Sequence, residues 1–376
     1  MSTLLRLATV VMLSIAFQGV AMAADEKPCH ESADDAAIAR CRAAVTSGAV
    51  TPRDLASMLW ERGRNTMRAD DLDGALTDLD AAIAVDPTFA AAFNSRGVAL
   101  RRQQRYEKAL ADFDAAMRLD PANAIFPANR GRTWQEMRDL DHAMADYDRA
   151  LRLDPKQLTA LYGRAMVHHA RRELDAAIAG FNAALAIDPN NAIGLANRAD
   201  AFDDKGEFDR AIRDYSEALR IDAHYAAARI GRGRAYQEMG NYGAAIADYS
   251  AVLAIDPKDV YALHNRAAAY VRTGDFDSAI ADASQSIALD PNDSTAYLNR
   301  GSAHAFKRDY ASAIADYSQA LRVNPDDVDA LTARGRAYEE IRDFDHASAD
   351  YARALKLKPQ AREIRERLEK TRQRMR

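Results

Sequence analysis

The chain has 376 residues, 48 % hydrophobic and 28 % charged, with 11 Pro, 17 Gly, 2 Cys and a formal charge of -5. This excludes collagen-like, low-complexity and disulfide-dense architectures, and there is none of the basic excess expected of a nucleic-acid binder. Apolar mass drawn largely from Ala, with only 7 % aromatic residues, suits close helix packing better than a β-sandwich and points to an all-α chain. The length alone would ordinarily mean two or three globular domains.

Residues 1–23 read as a secretory signal peptide. Arg6 is the only charge, an apolar stretch runs from Leu7 to Val20, and Ala21-Met22-Ala23 precedes a cleavage point before Ala24. Ser14 and Gln18 interrupt the stretch, making it a poor membrane span, which wants about 20 predominantly apolar residues. An uncleaved anchor is the alternative. Export would place the mature chain in the periplasm or outside the cell. Cys29 and Cys41 are the only cysteines; an oxidising compartment favours a disulfide between them, with two free thiols as the alternative. Only His30 lies close by as a further ligand, too little for a zinc site.

Beyond the cysteines a fixed period takes over. Asp-Pro occurs at Asp86-Pro87, Asp120-Pro121, Asp154-Pro155, Asp188-Pro189, Asp256-Pro257 and Asp290-Pro291, then as Asn324-Pro325 and Lys358-Pro359; with Asp222-Ala223 counted, every interval is 34 residues. Such a period signals a solenoid. Each unit reads as two helices. The second carries Ala followed four residues later by an aromatic, as in Ala109/Phe113, Ala143/Tyr147, Ala177/Phe181, Ala211/Tyr215, Ala245/Tyr249, Ala313/Tyr317 and Ala347/Tyr351. The small residue lets helices approach and the ring one turn later fills the space between units. Pro ends the helix; the second helix of the fifth unit, with Ala223 in its place, should end less sharply. The first helix carries Gly or Ala where the two should cross, from Gly63 and Gly97 through Ala165 and Ala199 to Gly335. Asp73, Asp141, Asp175, Asp209, Asp277 and Asp345 suit the N-terminal cap and dipole of the second helices.

These features resemble the tetratricopeptide repeat family, whose pattern of small residue, aromatic, Ala, aromatic and Pro is matched in one phase over residues 56–361 as nine consecutive units. The resemblance implies an α-solenoid, antiparallel helix pairs stacked into a right-handed superhelix with an inner groove, each repeat packing mainly on its neighbours. Residues 24–55 would then form an N-terminal half-repeat cap, with Ala37 and Cys41 in place of the Ala–aromatic pair, and 362–376 a C-terminal capping helix. The stretch Gln360–Arg376 has seven basic and three acidic residues and only Ile364, Leu368 and Met375 as large apolar ones.

The resemblance also implies which first-helix positions line the groove: Trp60, Arg64 and Arg68; Asn94, Arg101 and Arg102; Arg132, Gln135 and Glu136; Tyr162, Met166 and His169; Asp200, Asp203 and Asp204; Tyr261, His264 and Arg272; Arg336, Glu339 and Glu340. So ordered, the groove begins basic and turns acidic in the middle, a gradient able to orient an extended peptide; plain solvated surface is the alternative. Some family members clamp a terminal carboxylate with Lys, Asn and Arg. No Lys is among these positions, so that specificity is not expected.

Arg occupies one phase in all nine units, from Arg62 and Arg96 to Arg334, and sixteen residues later stands Asp78, Asp112, Asp146, Asp214, Asp248, Asp282, Asp316 or Asp350, with Gly180 as the gap. Charge and counter-charge repeating together favour a structural pairing over a basic ligand ladder, and Arg164 should be the unpaired exception. The seventh unit, with Ala283 and Ser286 in place of an aromatic and Ala, should pack more loosely or leave a small pocket. Catalytic motifs are absent from the sequence: there is no phosphate loop, H-E-x-x-H or G-x-S-x-G, and His168 and His169 are adjacent, so they point to different helix faces. Neither a cofactor nor a metal is expected. The sequence reads as a non-catalytic scaffold that binds protein or peptide segments in its groove, within a bacterial cell envelope. A self-associating structural solenoid is the alternative, and a cell-wall glycan binder or enzyme accessory a distant third.

Overall fold

A computed structural model describes residues 34–375. The signal segment and Cys29 lie outside the described residues. Within them there are twenty α-helices and no strand. The chain divides into two compact units with the boundary between Thr133 and Trp134.

The first unit contains α1 (Asp35–Thr46), α2 (Pro52–Arg68), α3 (Leu72–Val85), α4 (Ala90–Arg102), α5 (Tyr106–Leu119) and most of α6 (Ile125–Glu136). Each of α1 to α4 packs on the helix after it. The buried face of α1 is Ala37, Ile38 and Cys41, set against Leu55, Met58 and Leu59 of α2.

The second unit contains α7 (Leu140–Leu153), α8 (Leu158–Ala170), α9 (Leu174–Ile187), α10 (Ala192–Asp204), α11 (Phe208–Ile221), α12 (Ala226–Glu238) and α13 (Tyr242–Leu253). It continues with α14 (Val260–Thr273), α15 (Phe276–Leu289), α16 (Ser294–Phe306), α17 (Tyr310–Val323), α18 (Val328–Glu340), α19 (Phe344–Leu357) and α20 (Arg362–Arg374). Sequential helices pack in pairs and pairs pack on pairs, with first helices such as α10 and α12, or α14 and α16, also touching one another. The chain is an α-solenoid. Ile364, Leu368 and Thr371 form the buried face of α20, which packs on α19.

The Ala–aromatic pairs of the second helices are buried throughout. Glycine on the facing first helix makes room for the ring. A Cβ on Gly163 would lie 2.2 Å from Tyr147 Cζ, and one on Gly233 would lie 2.7 Å from Tyr249 Cε1. Neither ring could stay where it is against even an alanine.

Helix ends depart from the expectation in two ways. Six of the second helices are capped by Asp71, Asp139, Asn241, Asp275, Asp309 and Asp343, whose side chains accept a backbone N–H three residues on, while α5, α9 and α11 have Arg105, Glu173 and Glu207 at that position without such a bond. Asp73, Asp141 and Asp277 sit two residues later, in the first turn, where they face the positive end of the helix dipole. There they reach Gln103, Arg171 and Lys307, each about one repeat further along. Secondly, α11 ends at Ile221, as sharply as its counterparts. The aspartate of the pair stops the helix: at Asp86, Asp154 and Asp290, and equally at Asp222, where no Pro follows, the backbone is extended and Oδ1 accepts the N–H two residues on, a bond Asp256 also makes although α13 ends earlier, at Leu253. Proline reinforces a turn that Asp already makes.

Between the two helices of each unit one residue adopts the left-handed conformation. It is Gly206, Gly240 and Gly274 in three units, but Asp70, Gln104, Arg138, Arg172, Arg308 and Arg342 in others. A Cβ there costs about 1 kcal/mol relative to Gly. Arg308→Gly is therefore expected to raise the thermal midpoint, by a gain on the order of 0.5–1 kcal/mol, read by circular dichroism. No change would mean that the turn is not strained.

Candidate interaction surface

The Arg ladder is structural. Arg62 and Arg96 in the first unit, and Arg198, Arg232, Arg266, Arg300 and Arg334 in the second, each donate Nε and Nη2 to both oxygens of the Asp sixteen residues later, at 2.5–2.9 Å. Such forks are the strong form of the ion pair. The remaining nitrogen, Nη1, reaches back to the residue sixteen earlier, on the second helix of the preceding repeat. In the first unit that acceptor is Asp80 for Arg96 and Asp114 for Arg130, whereas Arg62 reaches Asp35 of α1, 27 residues earlier. In the second it is Asp148, Asn182, Ser216, Ser250, Ser284 and Ser318. Arg96 in the first unit, and Arg198, Arg232, Arg266, Arg300 and Arg334 in the second, thus each join two successive second helices. Arg164, facing Gly180 and so lacking a forward partner, is not unpaired as the sequence predicts: its Nη1 lies 3.2 Å from Asp148 Oδ1, sixteen residues back.

The seventh repeat closes its missing ring with polar groups. Ala283 and Ser286 are fully buried, and Ser286 Oγ donates to Asp293 Oδ2 at 2.7 Å, the same oxygen that lies 2.9 Å from His264 Nδ1. Burial pushes the Asp293 carboxyl up, but hydrogen bonds from His264, Ser286 and the Ala296 N–H outweigh it and hold the group below its usual range.

In the first unit most of the expected groove residues are engaged by neighbouring side chains and backbone. Trp60 is half-buried, meets the Phe89 ring at a tilt with centroids 5.6 Å apart and donates its indole N–H to Ser95 at 2.8 Å, while Arg64 lies over the Trp60 ring at 4.7 Å. Arg68 donates to Asn65, Asn94 accepts from Asn129, and Arg102 holds the Met67 carbonyl and Asp70. Arg101 is buried and Arg132 exposed.

In the second unit the acidic cluster is matched by bases. Asp203 takes both donors of Arg234 on one oxygen, at 2.9 and 2.6 Å. Asp204 lies 2.9 Å from His169 and 2.6 Å from Arg172; burial pushes its carboxyl up, but these two partners bring it below its usual range. Asp200 accepts the Tyr215 hydroxyl at 2.5 Å, and burial, only partly offset by that bond, pushes its carboxyl up. Gln135 accepts the Tyr147 hydroxyl at 2.7 Å. The Tyr162 hydroxyl is buried with no hydrogen-bond partner, and burial pushes its pKa up to about 12. Glu339 accepts from Tyr351 and Thr371, Glu340 lies 3.4 Å from the Tyr310 hydroxyl, and Arg336 pairs with Glu363 at 2.6 Å.

Two open cavities of about 640 and 720 Å3 lie along the first helices α14, α16 and α18. Arg272, Asn299, Ser302 and Phe306 line both. Arg272 was among the expected positions; Asn299, Ser302 and Phe306 were missed, although Phe306 stands one 34-residue step after Arg272. Close by in sequence, Tyr261 is 68 % exposed, and Phe306 is 63 % exposed.

Successive helix pairs held by a period-spaced polar ladder define a helical repeat scaffold. Family models described as tetratricopeptide repeat match residues 60–124, 129–192, 260–293, 294–327 and 328–360, and one described as TPR repeat matches 199–240 and 233–274. The chain belongs to the tetratricopeptide repeat family. No curated protein matches it. Among solved structures, a tetratricopeptide repeat protein from Parabacteroides merdae is similar at 22 % identity over 66 % of this chain and 98 % of its own, with a TM-score of 0.55. The Cut9-Hcn1 hetero-tetramer structure is similar at 16 % identity over 85 % and 76 %, with a TM-score of 0.57. Pseudomonas aeruginosa pilF is similar at 18 % identity over 56 % and 96 %, with a TM-score of 0.51. At these identities the likeness is one of fold. Tetratricopeptide repeats generally serve as scaffolds for protein–protein interaction, and no described helix is long and apolar enough to cross a membrane.

Proposed function

We propose that the chain is a non-catalytic adaptor that binds extended protein segments along the first-helix face of its repeats. The observation that carries this reading is the character of that face in the second unit. Open cavities on it are bordered by the exposed ring of Phe306 and by polar side chains, whereas the Arg ladder is occupied in joining helices, and the hydroxyls of Tyr147, Tyr215 and Tyr351 in bonds within their own repeats. An apolar concavity with a few polar groups is the usual form of a recognition site. In this reading nine 34-residue units fill residues 56–361, with α1 and α20 as end caps. The mature chain begins after Ala23 in a bacterial periplasm, where Cys29 pairs with Cys41, whose side chain is buried in the end core.

A photo-reactive amino acid placed at Tyr261 or Met166, on first helices, should crosslink a partner in living cells. The same group at the exposed Arg213 or Ala281, on second helices, should not. Crosslinks confined to the second-helix positions would overturn groove binding. Protein recovered from those cells should begin at Ala24 and show no titratable thiol before reduction; an intact leader or two free thiols would refute the export and pairing.

A further inference from the structure

In the second unit the basic groups of the first-helix face have acidic partners in turn: His169 with Asp204, Arg234 with Asp203, His264 with Asp293 and Arg336 with Glu363. Arg272 differs. It is exposed, and the contact it makes is with a ring, its guanidinium carbon 5.3 Å from the Tyr242 centroid. The equivalent position one repeat on is Phe306, which stacks on Phe276 with centroids 5.2 Å apart and planes 6° from parallel, leaving its outer face in solvent. Cation and ring border the same cavity. Asn299, which lines the same cavity, donates its amide to the His264 carbonyl at 2.8 Å, which leaves its side-chain oxygen to accept from a ligand.

We propose that this shelf recognises an extended peptide segment in which an acidic side chain pairs with Arg272 and an apolar side chain covers Phe306. The inference deepens the groove-binding reading and rests on it. Charge complementarity selects the acid: a guanidinium lying on an aromatic face keeps its donors available for a carboxylate. The exposed ring selects the apolar partner, since burying it removes a large apolar face from water. Geometry sets the spacing. The helices α14 and α16 that carry the two positions pack against each other, which puts their axes about 8–10 Å apart. An extended chain advances about 3.3 Å per residue, so the acid and the apolar residue stand about three positions apart. Neighbouring Arg336 is already matched by Glu363, so one carboxylate, not a run of them, satisfies the site.

The test uses the full chain and fluorescein-labelled Gly/Ser peptides that carry Glu and Trp three positions apart, in both orders, with Gln-for-Glu and Ala-for-Trp controls. Fluorescence anisotropy should show one order binding at least about tenfold more tightly than either control, with the Glu preference weakening as salt rises. Arg272→Gln should erase the Glu-over-Gln preference and Phe306→Ala the Trp-over-Ala preference, each with the circular dichroism of the parent. Binding that ignores Glu, or a Glu preference that survives Arg272→Gln, overturns the inference while leaving groove binding intact. No binding by any peptide also overturns it, and the crosslinking at Tyr261 and Met166 then decides separately whether the broader reading stands.

Discussion

Tyr215→Ala should destabilise the second unit by about 3–5 kcal/mol, and Tyr215→Phe by about 1–3 kcal/mol. The ring is fully buried in the core built from α8 to α12, among Phe181, Phe202, Ala199 and Leu219. It fits so closely that a Cβ on Gly231 would come within 2.5 Å of its Cζ. Deleting the ring leaves a cavity that fixed helices cannot close. Deleting only the hydroxyl removes the donor to Asp200, a carboxyl that burial already pushes up and whose nearest cation, Arg234, stands 3.9 Å away. Urea denaturation followed by circular dichroism measures both. A Phe variant as damaging as the Ala variant would show that the Asp200 bond, and not packing, dominates the site.

Asp248→Ala should cost about 2–3 kcal/mol, while Arg232→Met combined with Asp248→Leu should cost less than Asp248→Ala alone. Asp248 is buried and takes Arg232 Nε and Nη2 at 2.8 and 2.6 Å, and the hydrogen bond to it pushes the guanidinium further above its usual value. Removing the carboxylate strands a partly buried cation whose remaining hydrogen bond is to Ser216 at 3.0 Å. Replacing both partners leaves nothing stranded. Equal losses in the single and double variants, measured in one denaturation series, would show that the ion pair carries no cost of isolation.

Much of this architecture is legible because its signals are short-range or strictly periodic. Ala177 and Phe181 lie one helical turn apart, and Arg232 and Asp248 share a fixed offset with their counterparts in other repeats. The backward half of each Arg contact is hidden because its acceptor changes chemistry along the chain, from Asp80 through Asn182 to Ser250, so no residue type repeats. Left-handed turns at Arg138 and Arg308 are hidden for a similar reason: sequence reading looks for Gly, and tertiary packing has imposed the conformation on residues that disfavour it. In sequence the groove is only a series of charges. Its actual character depends on pairings such as Arg234 with Asp203 and His264 with Asp293, 31 and 29 residues apart, which no local pattern displays. The shelf at Phe306 was missed although it shares a phase with Arg272, because an exposed ring and a buried one look alike in sequence.

The backward reach of each Arg also governs how the chain can change in length. Excision of residues 227–260, one whole period, would put Ser216 where Arg266 now finds Ser250, one hydroxyl exchanged for another. The same excision made one residue too long or too short would set that guanidinium against the wrong helix face. Growth and loss are therefore quantised: the ladder accepts whole repeats as interchangeable modules and rejects fractions of one.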